Sequence, residues 1–527
     1  MKTERPTYSY DVVPYESHSY PQTHPEHLAT LGRLFGLKAP PVTHCRVLEL
    51  ACASGGNLIP MAFQLPESEF LGIDLSIREV ETGQKLVRDL SLKNIRIEHK
   101  DIIDFDGSSG AFDYIIAHGV YSWVPADIQE KILDICRKNL ALNGIAYISY
   151  NTYPGWHIRE MIRHMMLYHA SQFQERKEQV EQARALMDFL ASAVPSGKNY
   201  FSQLLRSELE LIRQSEDWYI FHDHLENINS PVYFHHFIEQ AERYGLQYLA
   251  EAEFASMFAE DFPQDVRETL ARISKYPVEA EQYMDFLRNR HFRQTLLCHM
   301  EHPLKRTILA DNLDGLFISS EANPIHSKVD LAPGVKQTFK TPQKMFLKTD
   351  IPIVKAAMVI LRNAWPKIMS MDELLESSVT LLKKHFNQYE IETSQAREPL
   401  GEGLLHGFAG NVVELYSYQP PFAAALSEKP MASPLAVYQT FHDLPIVNQR
   451  HETVRVDPLS KELLKAMNGA RSLSGLLDYL VQQGIRGEFT MEKDGKPLSE
   501  EKDLRSVLEK DITNLLQNLV NLALVVQ

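Results

Sequence analysis

Between Cys45 and Thr152 short β-rich runs alternate with amphipathic stretches of helical period, the pattern of βαβ units that build a parallel sheet. Strands are predicted at 46–50, 70–74, 95–99, 114–117 and 145–150. Helices fit between them at 57–65, 77–90 and 125–140, the last entered by Pro125 at an allowed first-turn position. From Ile158 to Ser192 the pattern changes. Met161, Met165, Leu167 and Tyr168, then Val180, Ala183, Leu186, Phe189 and Leu190, recur at helical spacing in a long charged segment, which predicts an inserted helical element.

Ser230-Pro231 then opens a helix carrying Tyr233, Phe234, Phe237, Ile238 and Ala241. Gly245 stops it before Leu246 to Ala250, which is expected to restore the sheet as a sixth strand. Beyond Asp261 the chain reads as mostly helical to about Met300, and then as irregular and extended to Leu347. Helices are predicted at 353–363 and 371–378, with a glycine-weakened one around 400–409 and a strand at 412–418. Helices followed by a β-element are the arithmetic of a small winged-helix-like module. The Pro- and Ala-rich stretch from Phe422 to Val437 reads as a linker. A final block repeats the theme with a strand at 453–457 and helices at 459–467, 473–482 and 502–520.

The bulk numbers change this picture little. At 527 residues the chain exceeds what one core usually serves. A hydrophobic share of 44% and a charged share of 23% are those of an ordinary globular protein. A formal charge of −15 argues against broad attraction to nucleic acid, which needs clustered Lys and Arg. Cys45, Cys52, Cys136 and Cys298 lie partly in apolar runs without paired spacing, so they read as buried thiols in a reducing compartment. With no apolar leader and no run approaching a membrane span, a cytoplasmic protein is expected.

The chemistry concentrates at the strand ends. A strand ending in an acidic residue, a tight small-residue turn and a helix N-terminus form a cradle of backbone N–H groups, and Val47 to Asn57 contains all three. The usual pattern has glycine at the positions held here by Ala51, Ala53 and Gly55, because a large Cβ would meet a ligand lying on the turn. Asp74 ends the second strand, where a carboxylate can accept two ribose hydroxyls. Asp101 ends the third, placed to accept an adenine amino group. His118-Gly119 forms the tip of the fourth. Ordered together, these elements resemble a class I S-adenosylmethionine-dependent methyltransferase.

A sharper resemblance lies outside the core, in Tyr8 to Ser17, Tyr20 to Pro25, Phe221 to Glu226 and Asn289 to His299. These segments resemble a bacterial methyltransferase family carrying a methyltransferase regulatory domain, which includes the rickettsial outer-membrane-protein lysine methyltransferases. The likeness is strong over about the first 300 residues and looser beyond. It implies an α/β fold: a Rossmann-like class I methyltransferase core with a helical insert, followed by α+β winged-helix-like C-terminal domains. The division expected is 1–156 for the cofactor core and N-terminal arm, 157–229 for a dimerising insert, 230–303 for completion of the core and a regulatory region, 304–425 for a middle domain and 426–527 for a C-terminal domain. It further implies S-adenosylmethionine as cofactor, a homodimer and a protein substrate, a surface or outer-membrane protein precursor among the candidates; composition and charge, for their part, point to no membrane span and argue against a nucleic-acid partner.

On this reading Tyr15, Tyr20, Thr23, Glu49, Ala51, Ala53, Gly55, Asp74, Leu75, Asp101, Ile102, His118 and Gly119 hold the cofactor. Methyl transfer to an amine is an in-line displacement that depends on positioning. Aromatic and amide groups at the ligand edge of the sheet, Tyr121, Trp123, Asn151, Tyr153 and Trp156, are therefore the catalytic candidates, their rings suited to cationic groups. Packing of a lid over the core is the alternative role for Trp123 and Trp156. His222, Asp223, His224 and Glu226, with His235 and His236, are zinc-ligand types, but no cysteine spacing matches, and helix capping and interface hydrogen bonds are expected instead of a metal. Protein lysine N-methylation is the leading function. Small-molecule or natural-product methylation and a non-catalytic, S-adenosylmethionine-sensing scaffold are the alternatives.

Overall fold

In a computed structural model, residues 17–194, 199–386, 392–493, 496–498 and 500–526 are described. Seven strands form the central sheet: β1 (Arg46–Leu50), β2 (Glu69–Asp74), β3 (Ile95–His99), β4 (Phe112–Ala117), β5 (Leu140–Asn151), β6 (Leu246–Glu251) and β7 (Phe292–His299). Their order is β3-β2-β1-β4-β5-β7-β6. The first five run parallel, and β7 lies antiparallel between β5 and β6. This is the α/β class I methyltransferase arrangement. Helices cover both faces, so the central strands are apolar on both sides; Val47, Leu48 and Leu50 are all fully buried.

The stretch read as helical to Met300 needs correction. Helices occupy Gln264–Ile273 and Pro277–Arg288, but 292–299 is β7, and β6 reaches the sheet through it, at the edge. Arg293 obscured the strand, because a charge inside a sheet is foreign to the apolar pattern. Its guanidinium is fully buried and gives Nη1 to Glu251 Oε1 at 2.8 Å and to Glu281 Oε2 at 3.0 Å, and Nε to Asp285 Oδ2 at 2.8 Å. The ring of Phe234 lies beneath it at 3.5 Å.

Between β5 and β6 the chain leaves the sheet as three helices, Gly155–Ala170, Arg176–Ala193 and Tyr200–Gln214, with a core of their own built on Ile162, Met166, Val180, Ala183, Met187 and Leu205. Tyr168 and Phe189, part of the periodic pattern, are instead 80% and 63% exposed. Past β7, helices Pro352–Ala364, Met371–His385 and Thr393–Ala409 pack with short strands at 317–319, 369–370 and 414–416. Leu313, Ile318, Val354 and Leu404 from this region join the same apolar core as Val47 and Tyr147 of the sheet. Residues 432–525 form a separate core. The stretch read as a linker is partly helical, since Pro434 starts a helix to Phe441 that buries Leu435 and Ala436. All four cysteines are buried thiols. No helix among the described residues is long and apolar enough to cross a membrane.

After β1 the backbone turns sharply, with φ of 57° at Ala51, 48° at Ala53 and 78° at Gly55. A Cβ on Gly55 would meet Ile97 at 2.7 Å, so that position is closed to a side chain from behind. The two alanines hold a left-handed conformation that glycine adopts without strain. Ala51→Gly and Ala53→Gly are each expected to raise the free energy of unfolding by about 1 kcal/mol, the relief of strain exceeding the added chain entropy, as read from urea denaturation. Arg293→Met strands three buried carboxylates and is expected to lower it by about 3–5 kcal/mol in the same assay.

Candidate functional site

Glu49 arrives at the carboxyl end of β1 almost wholly buried. Asn57, which precedes the helix Leu58–Gln64, gives its Nδ2 to Glu49 Oε1 at 2.8 Å, while Glu49 Oε2 is buried without a protein partner. Burial pushes the Glu49 carboxyl up to about 8, opposed by that hydrogen bond. The turn between them is tied to the end of β2, where Asp74 accepts Ala53 N–H at Oδ2 and Ser76 N–H at Oδ1, both at 2.8 Å.

The N-terminal arm lies against this turn. Ser17 Oγ accepts Gly56 N–H at 2.9 Å, and Tyr20 N–H donates to Asn57 Oδ1 at 3.0 Å. The Tyr20 ring sits over the imidazole of His118, centroids 3.8 Å apart. Burial holds His118 down to about 4, so it is a neutral imidazole, with Nδ1 at 2.9 Å from Tyr147 Oη.

Two adjoining cavities open along the carboxyl edge of the sheet. One, of about 370 Å³, is lined by Tyr20, Glu49, Ala51, Ala53, Asp74, His118, Gly119, Trp123, Asn151 and Trp156 among the residues expected from sequence. The other, of about 550 Å³, is lined by Ala51, Asp74, Leu75, Asp101, Ile102 and Trp123. They share Ala51, Asp74, Val120, Trp123 and Val124, so they form one trench. At its outer end Leu75 and Ile103 stay 40% and 44% exposed, an apolar slot beside Asp101.

Four expected residues line neither cavity. Thr23 is fully buried and ties the arm, donating to Tyr20 O at 2.8 Å and accepting from Asn57 Nδ2 at 2.9 Å. Gly55 lies behind the turn. Tyr121 is turned into the core, its hydroxyl donating to Gln240 Oε1 at 3.0 Å and its ring edge-on to Phe237. Tyr153 faces the insert, donating to Glu160 Oε2 at 2.9 Å and stacking on His157. Tyr15 lies outside the described residues. His235 and His236 also line neither cavity, and the His235 ring bonds Gln282.

The inner wall holds what the sequence reading left out of the site. Trp123 and Trp156 meet edge to face at 6.1 Å, with Arg159 at 6.0 Å from the Trp156 ring. Facing the same space are Tyr219, His222 and Asp223, on and beside a π-helical turn at Ile220–His224. Such turns re-aim side chains at a cost in regular hydrogen bonding. Burial pushes Asp223 up to about 7, opposed by His222 and Arg159. His291 and Phe292 complete the wall from the start of β7. The signal for Asp223 was present, a carboxylate in the Phe221 to Glu226 segment, but only the fold brings that segment back over the cofactor turn.

Comparison with known proteins agrees with the fold. A methyltransferase domain model matches residues 41–215, a predicted methyltransferase regulatory domain matches 216–299, and the C-terminal winged helix domain of PKMT matches 428–524. The protein RP789 of Rickettsia prowazekii is 35% identical over 525 residues, 98% of this chain and 93% of that protein. RP028 of the same organism is 42% identical over 235 residues, 45% of this chain and 94% of its own length. The structure of PKMT2 from Rickettsia typhi in complex with AdoHcy is 30% identical and superposes with a TM-score of 0.86, covering 98% of this chain and 100% of that one. With a methyltransferase domain, a PKMT C-terminal winged helix domain and a match to PKMT2 over nearly the whole chain, the chain belongs to the PKMT family of S-adenosylmethionine-dependent methyltransferases.

Proposed function

We propose that this enzyme methylates lysine side chains of a protein substrate. The observation that carries the reading is the inner wall of the trench, where Trp123, Trp156 and Tyr219 surround a space that also holds the Asp223 carboxylate. Aromatic faces attract an ammonium group, and one carboxylate among them distinguishes a charged amine from a neutral alkyl chain. The names of PKMT2 and of the matched winged-helix domain support the same class of substrate.

S-adenosylmethionine supplies the electrophilic methyl group. The residues of the trench fit it. Glu49, with a buried carboxylate oxygen lacking a protein partner, suits the amino group of the methionine moiety. Asp74 stands where the two cavities meet and suits the ribose. Asp101 and Ile102, with the exposed side chains of Leu75 and Ile103, suit the adenine. Ala51, Ala53 and Gly119 give the backbone close access, and the rings of Tyr20 and His118, in contact at 3.8 Å, line the inner cavity. Thr23, Gly55, Tyr121 and Tyr153 act through packing and hydrogen bonds that hold these groups. Asn151, whose Nδ2 donates to Asn229 Oδ1 at 2.9 Å, lies beside the aromatic wall and orients the incoming amine.

Attack requires a neutral amine. Burial lowers the pKa of a lysine and has already raised that of Asp223, so the two groups approach a match and Asp223 takes the proton. The division into a cofactor core, insert, regulatory, middle and C-terminal part is proposed on the separate cores of the insert and of residues 432–525. The exposed aromatics Tyr168, Phe189 and Tyr200 on the insert support its role in a homodimer. A cytoplasmic location is proposed on the reduced, buried cysteines.

Incubation with methyl-labelled S-adenosylmethionine and lysate should label protein bands whose hydrolysates contain methyl-lysine; label confined to small molecules or lipid would refute the lysine reading. A base that ionises near 7 predicts that kcat/KM climbs as pH rises through about 7 and then levels. In Asp223→Asn that inflection should vanish, the rate at pH 8 should fall by about a hundredfold or more, and activity should climb only toward the lysine value of about 10.4.

A further inference from the structure

A side chain of the C-terminal domain, that of His451, reaches the cofactor turn. In the turn Asn448 to Glu452, His451 has φ of 63° and is almost fully buried, with Nε2 at 2.8 Å from Asn57 Oδ1. The orientation of the Asn57 amide is set independently. Tyr20 N–H needs an acceptor there, at 3.0 Å, and Glu49 Oε1 accepts from Nδ2 at 2.8 Å. His451 therefore presents Nε2–H as a donor to a group that itself holds Glu49.

This contact is stiffly mounted at both ends. Asn448 Oδ1 accepts the N–H groups of Arg450 and Glu452, both at 2.9 Å, which shapes the turn. Gln449 anchors it to its own domain through Ala523 O and Ser433 Oγ, both at 3.0 Å. Toward the core, Gln64 Nε2 donates to Asn448 O at 2.9 Å, and Ser19 Oγ lies 3.0 Å from Thr453 Oγ1. The N-terminal arm, the cofactor turn and the C-terminal turn thus converge on Asn57.

We propose that His451 is a positioning residue of the cofactor site, delivered by the C-terminal domain, and that cofactor binding and docking of that domain reinforce each other. The proposal rests on the reading of the trench as the cofactor site. Linkage makes the effect reciprocal: the factor by which docking raises cofactor affinity is the factor by which cofactor favours docking. Loss of the His451 donor removes one of the hydrogen bonds that hold the Asn57 amide against Glu49 and Tyr20, and so weakens the hold on both.

The test uses the full chain, with S-adenosylhomocysteine as probe. His451→Ala should weaken its binding about tenfold by calorimetry, the effect of one buried hydrogen bond, and His451→Gln, which keeps a donor at the reach of Nε2, should recover most of that loss. In the wild type, saturating S-adenosylhomocysteine should slow hydrogen exchange of the 448–453 amides, and this protection should disappear in His451→Ala. Unchanged affinity in His451→Ala, or exchange at 448–453 that ignores the ligand in the wild type, overturns the proposal. If His451→Ala does not fold, the wild-type exchange measurement and His451→Gln decide it. Should Asp74→Asn and Asp101→Asn also bind the probe as the wild type does, the trench reading itself fails; tight binding lost in these two but kept in His451→Ala refutes the positioning role alone.

Discussion

A carboxylate buried at the end of a parallel strand must find donors or give up its charge, and Glu49 finds one in Asn57. That hydrogen bond organises much of what surrounds the trench. The Asn57 amide that serves Glu49 also accepts from the N-terminal arm and from the C-terminal turn, so one side chain ties three distant parts of the chain to one orientation. The arrangement leaves the carboxyl at about 8, unfilled on one oxygen. An arriving ammonium favours the ionised form, so the cost of burying Glu49 without a partner is offset when cofactor binds.

The two ends of the trench then differ in their physics. Toward Asp101 it is an apolar slot bounded by Leu75, Ile102 and Ile103, suited to a flat heterocycle. Toward Asp223 it is lined by the rings of Trp123, Trp156 and Tyr219, suited to a cation. The neutral imidazole of His118 stands in the inner cavity, and burial keeps it from adding a positive charge where a sulfonium would lie. Inner-wall residues come from both sides of the insert. Trp156 starts its first helix, and Asp223 lies on the π-helical turn by which the chain returns. Thr152 bridges in parallel to Val232, closing that excursion at its root. Whatever shifts the insert helices therefore shifts the inner end of the trench, and through Glu226, Asn227 and Ile228 it reaches the outer cavity as well.

The sheet and the cofactor turn were legible in the sequence because the physics that forms them is local. Short apolar runs with acidic residues at or near their ends, separated by period-3.6 helices, mark βαβ units whether or not the turn carries glycine. Ala51 and Ala53 weakened the motif without hiding it, and their left-handed φ values explain why glycine is usual there. β7 was illegible for a long-range reason: Arg293 is tolerated in a strand only because Glu251, Glu281 and Asp285 converge from two other elements. With β7 missed, His291 and Phe292 were missed as well. Tyr121 and Tyr153 show the opposite error, since proximity to a strand end does not fix which way a ring turns. Asp223 and His451 belong to segments distant in sequence from the turn they face, and no periodicity reports such a meeting.

The accessory half of the chain is not a set of independent lids. Leu313, Ile318, Val354 and Leu404 complete the apolar core under β1 and β5, so the middle region cannot swing away without exposing the sheet. Residues 432–525 differ, having a core of their own and meeting the cofactor domain largely through polar contacts, from Asn448, His451, Thr453 and Tyr438. Polar contacts of this kind exchange readily with water and carry modest net free energy each. The part of the chain whose docking is cheapest to reverse is thus the part that reaches the cofactor turn, which is where a coupling between domain docking and cofactor binding costs least to build.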